Sequence, residues 1–208
     1  MSSVVLPNPS FAQSWRKPIS ICCAVIWLFA AVFTVPRGFA SGWHEAVEFV
    51  GFLLLIIAAQ GRIWSMVYIV GRKNRELCQS GPYSLMRNPL YFFSFIGVVG
   101  LALALQHVLL GLIAGAGFLI YYAAVIRGEE RMLTAIHGDR FTDYQKRVPR
   151  FWPRWAMPDG GGDSLLLHVG PFMRGLREVF WFLAVIILAE ILEWAHLEHI
   201  WYSWPLPF

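Results

Sequence analysis

Long apolar runs alternate with short polar segments along this chain, at a spacing that predicts membrane-spanning helices. A helix needs about 20 mostly apolar residues to cross the hydrocarbon core of a bilayer. None of the runs shows the alternating pattern of barrel strands, so strands are not expected. Five runs approach the required length, and they cover residues 18–35, 46–71, 90–106, 108–126 and 179–195. The predicted fold is an all-α integral membrane domain over residues 1–208, with about five transmembrane helices.

Composition agrees with this interpretation. Hydrophobic residues make up 57% of the chain and charged residues 14%, whereas a soluble domain carries about 25% charged residues. The first apolar run has 18 residues, longer than the 7–15 of a cleaved signal peptide, so we interpret it as a retained span. Cys22, Cys23 and Cys78 form no CxxC or Cys/His ligand spacing, and therefore indicate neither a metal site nor a disulfide framework.

The basic residues predict the orientation of the chain. Of the 17 Lys and Arg, 15 lie before the first run, between the second and third, or between the fourth and fifth. Arg37 lies on the other side, and Arg62 lies inside the second run. The positive-inside rule then places the N-terminus in the cytoplasm and the C-terminal WYSWPLPF outside. The compact loops favour a bacterial inner membrane, and the net charge of +4 indicates anionic lipid headgroups rather than nucleic acid.

The stretch GPYSLMRNPLYFFSF, residues 81–95, lies where the third run begins. Gly81-Pro82 is a turn signal, and Asn88-Pro89 predicts a helix start with Asn at the N-cap. Free backbone N–H groups and the positive end of the helix dipole can hold an anion there. Arg87 beside this start can bind a carboxylate through two hydrogen bonds. For this segment alone, an interfacial cap with a snorkelling arginine is the alternative.

A second polar cluster follows the fourth run. Glu129 and Glu130 are adjacent and are expected at the end of a spanning helix, where the dipole disfavours negative charge. Arg127 and Arg131 can neutralise them, which is the purely structural interpretation. Together with Arg87, however, the two acids provide both signs of charge, as a ligand with an amino group and a carboxylate requires.

Two further features concern the cytoplasmic side and the second run. Residues 130–147 have apolar side chains at helical spacing around a break at Gly138, which predicts an amphipathic surface lid. Residues 127–178 form this lid and its linker, with flexible DGGGD at 159–163. Arg62 lies deep in a span, so we expect it to face a polar cavity and line the substrate site. A snorkelling arginine on a tilted helix is the alternative.

The two polar blocks together resemble a known family. GPYSLMRNPLYFFS, and further along the chain GEERMLTAIHGDRFTDYQKRVPRFWP, are similar to the isoprenylcysteine carboxyl methyltransferase and phospholipid methyltransferase group of membrane enzymes. The similarity covers residues 60–155. Asn88 stands where this family commonly has His; it can hydrogen-bond a cofactor but cannot carry a proton. The matching residues are Gly81, Pro82, Tyr83, Arg87, Pro89 and Tyr91 in the first block and Glu129, Glu130, Tyr144, Arg147 and Pro149 in the second.

This resemblance implies a helical bundle that binds S-adenosylmethionine (SAM) at its cytoplasmic side. A lipophilic or lipid substrate would enter from the surrounding membrane lipids, and its acceptor group is a carboxylate, an amine or a thiol. The candidate catalytic residues are Arg87, Glu130 and Arg62. A membrane reductase that uses NADPH, and a non-catalytic scaffold or carrier, are the alternatives; the sequence leaves the oligomeric state open. The candidate cofactor-binding residues are Gly81, Pro82, Tyr83, Arg87, Asn88, Pro89, Tyr91, Glu129, Glu130, Tyr144 and Arg147.

Overall fold

The computed structural model describes residues 15–36, 42–72, 76–160, 169–198, 200 and 204–206. These residues form seven helices and two short strands. In chain order they are α1 (Arg16–Phe33), β1 (Thr34–Pro36), α2 (Gly42–Ile69), α3 (Pro82–Leu85), α4 (Pro89–Ala104), α5 (Val108–His137), α6 (Asp139–Arg147), α7 (Val169–Leu197) and β2 (Trp204–Leu206).

The predicted helical class is confirmed, because a helix covers most of each of the five apolar runs. Within the described part of the chain, two helical segments, Glu45–Ile69 and Val108–His137, are individually long and apolar enough to cross a membrane. Two shorter apolar segments, Pro18–Phe33 and Pro89–Ala104, accompany them. The count of five spans stays a prediction.

Small residues bring α2 and α4 close together, and α7 packs on the same core. A Cβ atom added at Gly51 would lie 2.7 Å from Ala104 Cα and 2.8 Å from Gly100 O, so the two backbones are in direct contact. Leu55, Ala104 and Ala189 form a buried cluster that joins α2, α4 and α7. This packing fixes α4, which begins within the stretch 81–95.

α5 is longer than its apolar run. It continues to His137 and ends at Gly138, which has φ +54°. The break at Gly138 is confirmed, but the expectation that Glu129 and Glu130 lie at the end of a helix is wrong. Residues 127–137 are rich in Arg, Glu, Met, Leu and Ala, which favour helix, so the helix continues past the end of the apolar pattern.

The structure also differs from the sequence-based expectations in the linker before α7 and in a pair of short strands. α7 begins at Val169, so the last ten residues of the predicted linker at 127–178 are helical. Thr34–Pro36 pairs in parallel with Trp204–Leu206, although no strands were expected from the sequence. Three-residue strands are too short for an alternating pattern. The rest of the C-terminal aromatic segment and residues 161–163 of DGGGD lie outside the described residues.

α6 lies against the loop that precedes α3. Phe141 and Tyr144 are buried with Val148, and Leu77 and Leu133 pack on this cluster. Three of the apolar positions in the amphipathic pattern predicted for residues 130–147, Leu133, Phe141 and Tyr144, therefore pack within the protein. The movement of this helix as a lid stays a prediction.

Candidate active site

One cavity of about 480 Å³ lies between α1, α2, α4, α5 and α6, beside the loop before α4. Its volume is within the range of pockets that bind small molecules. Most of the candidate residues meet there, although they come from four separate parts of the sequence. Those that line the cavity are Arg62, Tyr83, Arg87, Asn88, Pro89, Tyr91, Glu129, Glu130 and Tyr144.

Three candidate residues do not line this cavity. Gly81 has φ +60°, and a Cβ atom there would lie 2.6 Å from Tyr68 Cε1, so it serves the turn. Pro82 is fully buried at the start of α3. Arg147 is exposed and donates to Gln79 Oε1 at 3.0 Å. Gly81 and Pro82 therefore position Tyr83, and Arg147 ties α6 to the loop before α3.

Glu130 is held by two arginines. Arg87 Nη2 lies 3.1 Å from Glu130 Oε1, and the two side chains are only 9% and 7% exposed. Arg150 reaches the other oxygen, with Nη2 at 2.9 Å and Nε at 3.0 Å from Oε2. Burial lowers the pKa of Arg87, and the Glu130 carboxylate counteracts this. Glu130 thus keeps a buried guanidinium charged and oriented at the cavity wall.

Glu129 has a different environment. Consecutive helix residues point about 100° apart, so the neighbouring carboxylates face different surroundings. Tyr91 donates its hydroxyl to Glu129 Oε1 at 2.9 Å, and the Tyr91 and Tyr122 ring centroids are 5.0 Å apart. Tyr122 shares a hydrogen bond of 3.1 Å with Ser20. This network joins α4, α5 and α1 around one carboxylate.

Arg62 approaches the cavity from α2. Its Nη1 donates to Ser94 Oγ at 2.5 Å and to the Leu90 carbonyl at 3.4 Å. Ser94 also donates to the Leu90 carbonyl, at 2.8 Å. A guanidinium therefore lies beside the first turns of α4, where it adds positive charge to the part of the cavity that extends towards the apolar core.

The start of α4 is only partly as predicted. Asn88 is the N-cap and Pro89 the first helical residue, but the expected cap by the Asn88 side chain is absent. The amide instead donates to the Arg150 carbonyl at 3.0 Å, because residues 149–154 lie across the helix start. Backbone bonds support this crossing: Arg87 N donates to Pro149 O at 2.9 Å.

Two buried tyrosines close the side of the cavity near α6. Tyr144 donates its hydroxyl to the Tyr83 carbonyl at 2.6 Å. Burial raises the pKa of both phenols and the pKa of the Cys78 thiol. These groups are therefore neutral near pH 7 and act as hydrogen-bonding and packing groups rather than as bases.

Three residues of the site were missed at the sequence level. Tyr122 lies seven positions before Glu129 on α5, which places both on one helix face, and this spacing could have found it. Ser94 follows Tyr91 by three positions on α4 and was detectable in the same way. Arg150 contacts Glu130 only through the crossing of residues 149–154 over α4, which no local spacing indicates.

Comparison with known proteins adds a family context to this geometry. The model of the family described as phospholipid methyltransferase matches residues 48–140. The chain is 36% identical over 195 residues to the nickel-cobalt-cadmium resistance protein NccN of Alcaligenes xylosoxydans xylosoxydans, over 93% of this chain and 91% of that protein. It is 36% identical over 146 residues to the cobalt-zinc-cadmium resistance protein CzcN of Cupriavidus metallidurans, over 70% of this chain and 67% of that protein.

Proposed function

Because the chain belongs to the phospholipid methyltransferase family, among the membrane methyltransferases similar to isoprenylcysteine carboxyl methyltransferase, we propose that it transfers a methyl group from SAM to a lipid or lipid-like acceptor. One observation carries the proposal: nine of the twelve candidate residues line a single cavity. This cavity is bordered by two helical segments that are long and apolar enough to cross a membrane.

The residues present fit SAM by their chemistry. Glu129 can accept from an amino group, and the Arg87 guanidinium can bind a carboxylate. Arg87 Nε is buried and has no hydrogen-bond partner among the described residues, so a donor remains for a ligand. The rings of Tyr91 and Tyr122 offer flat faces for the heteroaromatic part. When bound, SAM supplies a methyl group that is activated by the positive sulfonium.

The two acids therefore have separate roles in the proposal. Both oxygens of Glu130 lie against guanidiniums, so Glu130 is a positioning residue for Arg87. Glu129, hydrogen-bonded to Tyr91, is the carboxylate that contacts the ligand. Methyl transfer needs alignment and exclusion of water more than acid–base chemistry when the acceptor is already a carboxylate or thiolate. An amine acceptor needs a base, and Glu129 is the candidate.

The acceptor is proposed to be lipophilic because most of the cavity surface is apolar. Arg62 and Ser94 also line the cavity and can orient an anionic group on the acceptor. The apolar lining also includes α1, whose outer face is exposed and suited to lipid contact. The large apolar residues of the lining are Ile21, Ile69, Leu77, Leu90, Met132, Leu133 and Phe141.

Localisation in a bacterial inner membrane, with the N-terminus in the cytoplasm, belongs to the proposal. β1 follows α1 and β2 follows α7. Their parallel pairing brings the C-terminal ends of these two helices to the same side of the helix bundle. Five spans that alternate in direction would also place the C-terminal ends of the first and fifth spans on one side of the membrane. The charge distribution supports the same orientation.

Binding of the cofactor is the first test. Calorimetry with the detergent-purified chain would compare SAM, its demethylated product and NADPH. We expect SAM binding that Glu129→Ala and Arg87→Ala each weaken by about tenfold or more, since each loses a charge-assisted hydrogen bond. Arg140→Ala, which removes an exposed charge on α6, is the control. Binding of NADPH alone would support the reductase, and binding of neither would support a scaffold or carrier.

The names of the two relatives give the proposal a physiological setting. We propose that this chain also contributes to resistance to transition metals, through its methylated product. The test is growth of a deletion strain on nickel, cobalt and cadmium, complemented with the wild-type chain or with Glu129→Ala. We expect the wild-type chain to restore growth and Glu129→Ala not to restore it. Equal growth with both chains would show that any role in resistance does not depend on methyl transfer.

A further inference from the structure

A second groove, of about 290 Å³, lies on the outer side of the wall that Glu130 forms for the cavity. α5, α6 and the residue after Pro149 contribute to it. Three of its six lining residues are arginines. The lining residues are Arg127, Glu130, Arg131, Thr134, Gln145 and Arg150.

The arginines of this groove have more positive charge than their surroundings neutralise. Arg127 and Arg131 are exposed and form no ion pair with any residue that the structure describes; Arg131 only donates to the Arg127 carbonyl, at 3.4 Å. Arg150 is half exposed and contacts Glu130 Oε2. Glu130 cannot neutralise three guanidiniums, because its other oxygen lies against the buried Arg87.

The level of the groove along α5 indicates which anions it meets. The apolar run of α5 ends at Ile126, so Arg127 and Arg131 lie on the first polar turns beyond the hydrocarbon region. Trp152 and Trp155 follow Arg150 in the chain and are exposed. Exposed tryptophans are typical of the headgroup layer. At this level the groove would be within reach of lipid phosphates as well as dissolved anions.

We propose that this groove binds a phosphate group. Guanidinium ions form paired, charge-assisted hydrogen bonds with phosphate oxygens, and three of them converge here. The phosphate of an anionic lipid headgroup and free inorganic phosphate share this chemistry. The groove shares Glu130 with the cavity, but binding of phosphate there needs neither SAM nor an acceptor, so either proposal can fail without the other.

The test measures phosphate-dependent stabilisation of the detergent-purified full chain by thermal unfolding. The probes are short-chain phosphatidylglycerol, short-chain phosphatidylcholine and inorganic phosphate, with sodium chloride at matched ionic strength. The variant is Arg127→Ala/Arg131→Ala. Its control is Arg140→Ala/Lys146→Ala, which removes the same charge from exposed positions outside the groove. Circular dichroism and size-exclusion chromatography show whether each variant is folded.

We expect phosphatidylglycerol to raise the unfolding temperature of the wild type and of the control. In the groove variant, its apparent Kd should rise by about tenfold or more. Equal stabilisation by inorganic phosphate, lost in the same variant, would assign the groove to a free anion. No stabilisation beyond that of sodium chloride, or equal stabilisation of the groove variant and the wild type, would overturn the proposal.

Discussion

The neighbouring carboxylates Glu129 and Glu130 have different partners in the site. Glu130 pairs with Arg87 and Arg150, whereas Glu129 accepts a hydrogen bond from Tyr91 within the cavity. The sequence predicts that both acids belong to the site, but it does not separate their roles. The separation depends on Arg150, which reaches Glu130 only in the folded chain.

Removing Glu130 should destabilise the protein strongly. Glu130→Ala leaves the buried Arg87 without its carboxylate, and breaking a buried pair in this way costs about 3–5 kcal/mol. Asp143→Ala is the control, because its ion pair with Lys146 is 64–70% exposed and such pairs contribute at most about 1 kcal/mol. The loss of stability in each of the two variants is measured as the change in the free energy of unfolding in mixed micelles. Equal losses in the two variants would contradict the structural role of Glu130.

The buried phenols predict a loss of stability at alkaline pH. Burial raises the pKa of Tyr144, so the folded state favours the neutral phenol. Its contribution is fully present below the unfolded pKa of about 10 and declines as the pH rises above that value. Tyr144→Phe removes the hydroxyl, so its stability should fall less steeply above pH 10. Parallel pH profiles for the variant and the wild type would contradict this account.

At the scale of the elements, the contact between α2 and α4 fixes the site. Arg62 on α2 and Tyr91 on α4 keep their relative positions because Gly51 and Gly100 allow the two backbones to touch. The loop at 81–88 and the segment after Pro149 then close over the start of α4. The site thus lies on a rigid helix pair with a backbone crossing above it.

A methyl group at this contact should be poorly tolerated. Gly51→Ala places a Cβ against the backbone of α4, which cannot move aside as a flexible side chain can, so we expect a loss of about 1–3 kcal/mol. Gly117→Ala on α5 is the matched control, because no described residue lies within 4 Å of its added Cβ. Thermal unfolding compares them. A tolerated Gly51→Ala would show that α2 and α4 pack differently.

Local signals predicted much of the element structure. Asn88-Pro89 begins α4 and Gly138 ends α5, because Pro and Gly act on their own stretch of backbone. The end of α5 was misplaced because hydropathy marks only where an apolar surface ends, while the helix continues through polar residues. The predicted capping of α4 by the Asn88 side chain is absent for another reason. The Asn88 amide donates instead to the carbonyl of Arg150, which is distant in sequence.

At the scale of the whole molecule, composition and the two polar blocks were sufficient to identify a membrane methyltransferase family. Nothing local predicted the pairing of Thr34–Pro36 with Trp204–Leu206, because the partner strands lie near opposite ends of the chain. The same limit applies to the basic groove, whose arginines come from α5 and from the segment after α6. Features built from distant segments require the folded structure.

The most direct test of the central claim is transfer of labelled methyl groups. Membranes that contain the wild-type chain would be incubated with methyl-labelled SAM and extracted with organic solvent. We predict label in the lipid-soluble fraction, reduced at least tenfold by Glu129→Ala and unchanged by Arg140→Ala at equal protein levels. Label that is absent from this fraction, or equal in the wild type and Glu129→Ala, would contradict the assignment of this cavity to methyl transfer.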